Sequence, residues 1–268
     1  MNTINIPYFL PRLKEFFEET LEDYSCGYDQ GPFIPYVMPR YYDSTLKIMY
    51  CGRDTFWWCP YEKLLSAYRN NSLLEYLKDN ISCVDVDKML EWKNNSGSFW
   101  TFVDKLHLYI RTHRYIEDIT QISDDEYEIL EEIGYSNLFS IELPLTLQKE
   151  ARGVWNCFSD EDQDKYWKIS RSAVKFENIK TLIDAYSPDI IIITSWTEKD
   201  DFFEGTDFKC QKEYYEHGFR SVFLSKTYKT KVVWTLHPNR FKFLSTNIPE
   251  MCKYIGDTVF RLIQEDKY

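Results

Sequence analysis

The sequence predicts an α/β fold, in which a central, mostly parallel four-stranded sheet lies between two helical layers as a three-layer αβα sandwich. Two observations support this prediction. Short apolar runs recur along the chain, and segments with helical patterning, long enough to serve as crossovers, lie between them. The 268 residues show no composition shift and no Pro/Gly/Ser-rich linker, so we expect one domain spanning residues 1–268.

The expected strands are short runs of apolar or alternating residues. The β-branched run at 190–194 is the clearest of them, and its composition favours a central strand covered on both faces. The run at 136–143 alternates weakly and fits either a strand or an extended loop. The four expected strands are residues 46–51, 136–143, 190–194 and 231–236.

Apolar residues at helical spacing predict the helices. Ser98 is expected to cap a helix that carries Phe99 and Trp100 on a strongly apolar face. The segment 27–42 contains three prolines and two glycines, which predicts a loop, and the acidic run 123–132 is typical of a solvated surface. The other expected helices are residues 10–23, 61–68, 71–79, 86–93 and 249–264, together with a helix whose last part is residues 179–186.

Composition limits the class of protein. The net charge of −11 argues against a general nucleic-acid coat but allows a local basic groove. The seven cysteines are odd in number and none has C-x-x-C spacing, which argues against a disulfide framework or a closed metal site. Because no leader pattern appears at the start and the run 190–193 is too short to cross a bilayer, we expect a cytoplasmic protein without membrane contact.

Polar residues at the strand ends are the candidate site, since ligands of open α/β sheets bind beyond the carboxyl ends of the strands. Asp54 and His237 follow expected strands, and Asn137 lies at the second expected strand, 136–143. Each also has a structural interpretation: Asp54 as a helix cap or turn residue, Asn137 as a turn residue, and His237 as a residue held extended by Pro238. Position alone leaves both interpretations open.

Other common chemistries lack their motifs. The sequence has no G-x-G-x-x-G, no G-x-x-x-x-G-K-[ST], no G-x-S-x-G and no H-E-x-x-H. His107 and His113 are six positions apart on an expected helix, which places them on different faces and makes them a poor pair of metal ligands. We therefore expect neither a cofactor nor a metal.

Four segments together resemble the uracil-DNA glycosylase superfamily. Residues 52–56 (GRDTF) after a strand resemble its first motif, Gly-Gln-Asp-Pro-Tyr, and residues 237–239 (HPN) resemble its second, which begins His-Pro-Ser. Residues 136–138 (SNL) are similar to the asparagine segment, and residues 190–196 to the apolar strand that ends near a tryptophan. The segments occur in the family's order over residues 46–244, which implies a glycosylase-like fold.

The resemblance implies a metal-independent hydrolase of DNA repair that flips a base and cleaves its N-glycosidic bond. Asp54 then matches the catalytic acid that positions water and stabilises the cationic sugar. His237 matches the catalytic histidine near uracil O2, where negative charge develops. Phe56 matches the tyrosine that excludes thymine, and Asn137 matches the residue that hydrogen-bonds the pairing edge of the base.

Several positions depart from the family pattern. Arg53 replaces glutamine in the base-binding segment. Its positive charge is expected either to keep Asp54 ionised, or to bind a phosphate, or to hold Asp54 in an ion pair and so withdraw it from the reaction. Asn239 replaces serine and can still donate to a DNA phosphate. For the wedge that fills the gap left in the base stack, the candidates are Arg240, Phe241 and Phe243.

Three functions remain open at this stage. The first is a monomeric glycosylase acting on DNA that contains uracil or another altered base. The second is a protein of the same fold that binds a nucleobase, nucleotide or nucleic acid without cleaving it. The third is an interaction protein with no nucleic-acid role, which predicts no converging polar cleft at the strand ends.

Overall fold

A seven-stranded mixed sheet forms the centre of the computed structural model, which describes residues 4–20, 31–53, 59–79, 85–92, 98–141, 160–195, 199–213 and 219–265. In sheet order the strands run β1-β3-β2-β4-β7-β6-β5. Their bounds are β1 Tyr36–Val37, β2 Ile48–Gly52, β3 Ile133–Asn137, β4 Ile190–Thr194, β5 Lys209–Glu213, β6 Phe219–Leu224 and β7 Lys231–Thr235.

The four expected strands are neighbours in this sheet. β2 pairs in parallel with β3 on one side and with β4 on the other, and β4 pairs in parallel with β7. The expected total of four strands was wrong, because β1, β6 and β5 add antiparallel strands at the two edges. The α/β class is confirmed, and the sheet is mixed rather than only parallel.

Helices pack in two groups around the sheet. The helix bounds are α1 Ile6–Thr20, α2 Tyr61–Arg69, α3 Leu73–Asp79, α4 Val86–Trp92, α5 Ser98–Thr112, α6 Asp124–Leu130, α7 Asp160–Glu177, α8 Ile179–Tyr186 and α9 Ile248–Glu265. α5 packs against α9, and α7 packs against α1. α5 lies in the β2–β3 connection and α7 in the β3–β4 connection. These connections run in opposite directions across the sheet, so right-handed crossovers place the two helices on opposite faces.

The core is built on the parallel strands. Every residue of β2, β3, β4 and β7 is buried, which agrees with helices on both faces of the sheet. The aliphatic run of β4 is fully enclosed, as its β-branched composition predicts. Among the described cysteines, Cys51, Cys59 and Cys252 are buried free thiols, whereas Cys210 is exposed. No helix within the described ranges is long and apolar enough to cross a membrane.

Three local predictions differ from the structure. The second strand is Ile133–Asn137 rather than 136–143, because pairing with β2 and β1 on its two sides fixes its position. The expected loop 27–42 contains β1 in its described part. The acidic run 123–132 contains α6, which begins in a capping box where Ser123 accepts from the Glu126 amide and Glu126 accepts from the Ser123 amide.

Candidate functional site

The candidate site lies where the chain changes direction across the sheet. β2 and β4 are adjacent and parallel, but the chain leaves them toward opposite edges. Ligands of open α/β sheets bind in the crevice at such a point, beyond the carboxyl ends of the strands. Here Gly52 ends β2 opposite Asn137, and Thr194 ends β4 opposite Thr235. The strand register therefore brings the ends of all four parallel strands to one rim.

Asn137 lies directly against Gly52. A β-carbon at position 52 would stand 2.5 Å from Asn137 Oδ1, so only a glycine allows this approach without a shift. The Asn137 side chain is 8% exposed. Beyond the strand, the Leu138 amide donates to the Gly52 carbonyl at 2.9 Å and the Phe139 amide donates to the Arg53 carbonyl at 3.0 Å. Asn137 is thus fixed beside the first strand end.

The Phe99 ring connects Asn137 to the other side of the crevice. Phe99 Cζ would lie 3.5 Å from a β-carbon at Gly52, so the ring borders the same space as the Asn137 amide. The ring also stacks on His237, with centroids 6.1 Å apart and an interplanar angle of 14°. Phe99 packs against the core, as its place on the apolar face of α5 predicts. Its ring also lies beside the end of β2 and stacks on His237 after β7.

His237 follows β7 and caps the 3₁₀ helix Pro238–Leu244. Its Nδ1 accepts a hydrogen bond from the Asn239 amide at 3.3 Å, so Nδ1 is unprotonated and Nε2 carries the proton of the neutral ring. Burial, followed by the positive charges of Arg53 and Arg240, lowers the pKa of His237 to about 4. At neutral pH this histidine is therefore an uncharged hydrogen-bond donor.

Arg53 is close enough to His237 to lower its pKa by charge repulsion. Its Nε is buried, and its side chain is half-buried. The base-binding group of the sequence prediction is thus represented by Arg53 and Asn137 on one rim. Asp54, expected to be catalytic, and Phe56, expected to exclude thymine, lie outside the described residues. Their roles stay predictions.

The residues expected to contact DNA differ in their exposure. Asn239 and Arg240 are exposed, as a phosphate contact requires. Phe241 is 2% exposed and packs edge-to-face on Phe102, with ring centroids 5.2 Å apart. The expectation that Phe241 contacts DNA was wrong, because a ring enclosed in the core cannot enter a base stack, and burial of its apolar surface is favourable. The side chain of Phe243 lies outside the described part of the chain.

A buried ion pair contacts the segment that follows Asn137. Lys199, after β4, pairs with Glu177 at the end of α7, and the two side chains are 7% and 2% exposed. Lys199 Nζ also donates to the Leu138 carbonyl at 2.6 Å, and Glu177 accepts from the Ser140 amide. Burial lowers the pKa of Lys199 to about 8, and the carboxylate of Asp201 opposes that shift.

Sequence reasoning missed Phe99, Lys199 and Glu177. The aromatic at 99 repeats a core spacing, so nothing in the local pattern separates it from its neighbours on the apolar face. Lys199 follows a strand end by a few residues, which was a weak signal. Glu177 closes a helix whose partner lies elsewhere in the sequence, and only the folded chain brings the two charges together.

The described rim combines three chemical groups. The Asn137 amide offers both a donor and an acceptor, the neutral His237 offers a donor, and Arg53 offers a permanent positive charge. Such a set suits a planar heterocycle whose edge carries donors and acceptors and which gains negative charge. Within the described ranges, no group of three or more His, Cys, Asp or Glu side chains is placed to hold a metal ion.

Comparison with models of known protein families gave no match, and neither did comparison with curated proteins or with solved structures.

Proposed function

We propose that this chain is a divergent uracil-DNA glycosylase-like hydrolase, which flips uracil or another altered base out of DNA and cleaves its N-glycosidic bond without a metal. The observation that carries the proposal is the position of Phe99 between two strand ends. Asn137 Oδ1 and Phe99 Cζ lie 2.5 and 3.5 Å from the same point beside Gly52, and the Phe99 ring stacks on His237. Asn137 and His237 match two base-contacting residues of the family by resemblance, although they are 100 positions apart.

The sheet supports the same proposal at the level of the fold. Four parallel strands in the order β3-β2-β4-β7, with helices on both faces, suit a glycosylase-like αβα sandwich. β1, β5 and β6 are then additions to its edges. In this interpretation the motif-bearing segments follow β2, β3, β4 and β7, so each ends at the same rim of the sheet.

The reaction needs stabilisation of two opposite charges. As the bond between the sugar C1′ and the base nitrogen breaks, its electron pair stays with the base and positive charge develops on the sugar. The Nε2–H of neutral His237 donates to the base oxygen that gains negative charge. Water then bonds to C1′ and loses a proton, a step for which Asp54 is the proposed acceptor by resemblance.

Asn137 supplies selection of the base. An extruded uracil presents acceptor and donor groups along its pairing edge, and one amide side chain can satisfy both. Because Gly52 and the backbone of residues 138–139 hold Asn137 in place, a base with a different pairing edge leaves a buried polar group unsatisfied.

Binding without cleavage is the second candidate, and Arg53 favours it. Its guanidinium lies near His237, where the family pattern has an uncharged glutamine. A cation at this position suits a bound phosphate or an anionic nucleotide as well as a departing base anion. Convergence of Asn137, His237 and Arg53 argues against the third hypothesis, an interaction protein without a polar cleft.

The test is release of the base from oligonucleotides that carry a single uracil. Single-stranded and double-stranded substrates are incubated with the wild type and with Asp54→Asn, Asn137→Ala and His237→Gln. Abasic sites are revealed by alkaline cleavage, and free uracil is identified by chromatography. We expect release by the wild type and a loss of at least hundredfold in each variant.

Two exposed residues of the same types provide controls. Asn70→Ala and His113→Asn change surface positions away from the strand ends and should keep wild-type activity. Nucleotide binding with no base release by the wild type would support the second candidate. Neither binding nor release would overturn both.

A further inference from the structure

The ion pair of Lys199 and Glu177 contacts the three residues that follow Asn137, the residue proposed to read the base. Lys199 comes from the segment after β4, and Glu177 ends α7. Lys199 Nζ donates to the Leu138 carbonyl at 2.6 Å and lies 5.0 Å from the Phe139 ring centroid. The pair therefore contacts the segment that follows Asn137 in the chain.

Both sides of residues 138–140 are held by hydrogen bonds. On the strand side, the Leu138 and Phe139 amides donate to the carbonyls of Gly52 and Arg53. On the helix side, the Leu138 carbonyl accepts from Lys199, and the Ser140 amide donates to Glu177. Three successive residues after Asn137 are thus fixed by partners distant in sequence.

Stability alone is a poor explanation for this pair. Desolvation of two charges costs several kcal/mol per ion, and well-packed apolar residues often serve a core equally well. A Lys–Glu pair instead provides directional bonds to one carbonyl and one amide, which fix the position of a loop. The chain carries such a pair against the segment that follows the proposed base-reading residue.

We propose that Lys199 and Glu177 are positioning residues, which hold Asn137 in the orientation needed to read a base. The expected effect on catalysis rests on the proposed function. The expected effect on the position of Asn137 rests on the described contacts alone. The amide of Asn137 has a donor end and an acceptor end, so a half-turn about its Cβ–Cγ bond exchanges the two and removes both bonds to the base.

The first experiment compares Lys199→Met with Lys231→Met. Lys231 is a matched control, because it is also a buried lysine whose Nζ donates to a backbone carbonyl, that of Leu262, but it lies at the amino end of β7. Side-chain amide resonances of Asn137 are recorded by NMR, together with hydrogen exchange of the Leu138 and Phe139 amides. This readout needs no catalytic activity.

We expect Lys199→Met to shift the Asn137 side-chain resonances and to speed exchange of both amides at least tenfold, with no such change in Lys231→Met. Equal effects of the two variants on Asn137, or no effect of Lys199→Met, would overturn the inference. Should Lys199→Met fail to fold, Glu177→Gln replaces it, because it removes the charge but keeps an oxygen for the Ser140 amide. The expected changes are then smaller but of the same kind.

The second experiment tests the catalytic consequence by a double-mutant cycle. Lys199→Met should lower kcat at least tenfold in the wild-type background, since small misplacements at a reacting centre have large effects. In the Asn137→Ala background it should change kcat by less than threefold, because the residue it positions is gone. Additive losses would contradict positioning. Absence of any base release by the wild type contradicts the proposed function instead and leaves the NMR result to decide the inference.

Discussion

Asn137 Oδ1 lies 2.5 Å from the point where a side chain at Gly52 would begin. The two residues end neighbouring parallel strands and are paired in register. A glycine at the end of β2 is therefore a requirement of the site rather than of a turn, because it lets the amide of Asn137 lie over the first strand end.

Gly52→Ala should displace Asn137 and reduce base release. The added methyl group requires a shift of the Asn137 side chain, and overpacking of this kind costs about 1–3 kcal/mol in the free energy of unfolding. We expect a larger fall in kcat for base release than in the affinity of the protein for the DNA backbone. Steady-state kinetics and urea denaturation measure the two effects.

Two further variants check this explanation. Gly205→Ala is the control, because a β-carbon there meets no atom within 4 Å although its φ of +72° makes the substitution strained. It should lower stability and keep activity. Adding Asn137→Ala to Gly52→Ala should recover stability, since the clash is removed. An unchanged kcat in Gly52→Ala would show that Asn137 does not depend on this contact.

The pH dependence of stability should report the burial of His237. Its pKa is about 4 in the folded chain, below the ordinary value of 6.5. Between these values the unfolded chain binds more protons, so the free energy of unfolding falls as the pH falls from 6.5 toward 4. The loss is at most about 3 kcal/mol. Below pH 4 this contribution stays constant.

Denaturation of the wild type and of His237→Gln at pH 7 and pH 4.5 measures the contribution of His237 to the pH dependence of stability. His107, whose pKa burial lowers to about 3, contributes in the same direction in both proteins and cancels in the comparison. We expect the wild type to lose more stability than His237→Gln. NMR titration of the His237 ring provides the direct check, and a pKa near 6.5 would contradict the neutral, buried donor.

Asp104 on α5 is expected to destabilise the folded chain at neutral pH. The residue is fully buried, and neither carboxyl oxygen has a hydrogen-bond partner in the described part of the structure. Burial raises its pKa well above the ordinary value of 3.8, so folding favours the protonated carboxyl over the charged one. The contribution of Asp104 to the free energy of unfolding is therefore most favourable below pH 3.8 and becomes less favourable as the pH rises.

Asp104→Leu should therefore raise the free energy of unfolding at pH 7 by about 1–3 kcal/mol, since it replaces an unsatisfied polar group by an apolar one of similar shape. The gain should shrink toward pH 3. Denaturant unfolding at the two pH values gives the measurement. A variant that loses activity without gaining stability would indicate that Asp104 serves the site.

Local patterns were sufficient to predict the parallel core. The β-branched run of β4 and the apolar run of β2 carry their own signals, and both strands occur as expected within two residues. β3 begins three residues and ends six residues before the expected run, because Gly134 interrupts its pattern and its position depends on pairing with β2. The hairpin of β5 and β6 was missed because antiparallel edge strands are stabilised by partners rather than by composition.

The site was predicted unevenly for a similar reason. His237 follows a strand that was predicted within one residue, so the prediction brought it to the rim. Asn137 lies near the start of the expected strand 136–143, and only the observed bounds of β3 place it at the carboxyl end. Phe99 was expected only on the apolar face of a helix, but its ring also borders the crevice. Phe241 was expected to contact DNA, but it lies in the core. Both are aromatic residues in apolar segments, and only tertiary packing decides which ring is exposed to a ligand. The helix α6 was not predicted, although the capping box of Ser123 and Glu126 is a local signal for its start.

Alanine substitutions of the adjacent residues Arg240 and Phe241 should have different effects on DNA binding and on stability. Arg240 is exposed, so Arg240→Ala should weaken DNA binding, reduce the salt dependence by about one phosphate contact, and leave stability within about 0.5 kcal/mol of the wild type. Phe241 is packed on Phe102, so Phe241→Ala should lower the free energy of unfolding by about 3–5 kcal/mol. Fluorescence anisotropy at several salt concentrations and urea denaturation separate these effects. A stable Phe241→Ala variant with weakened DNA binding would instead restore Phe241 as the wedge, because only an exposed ring loses binding without losing stability.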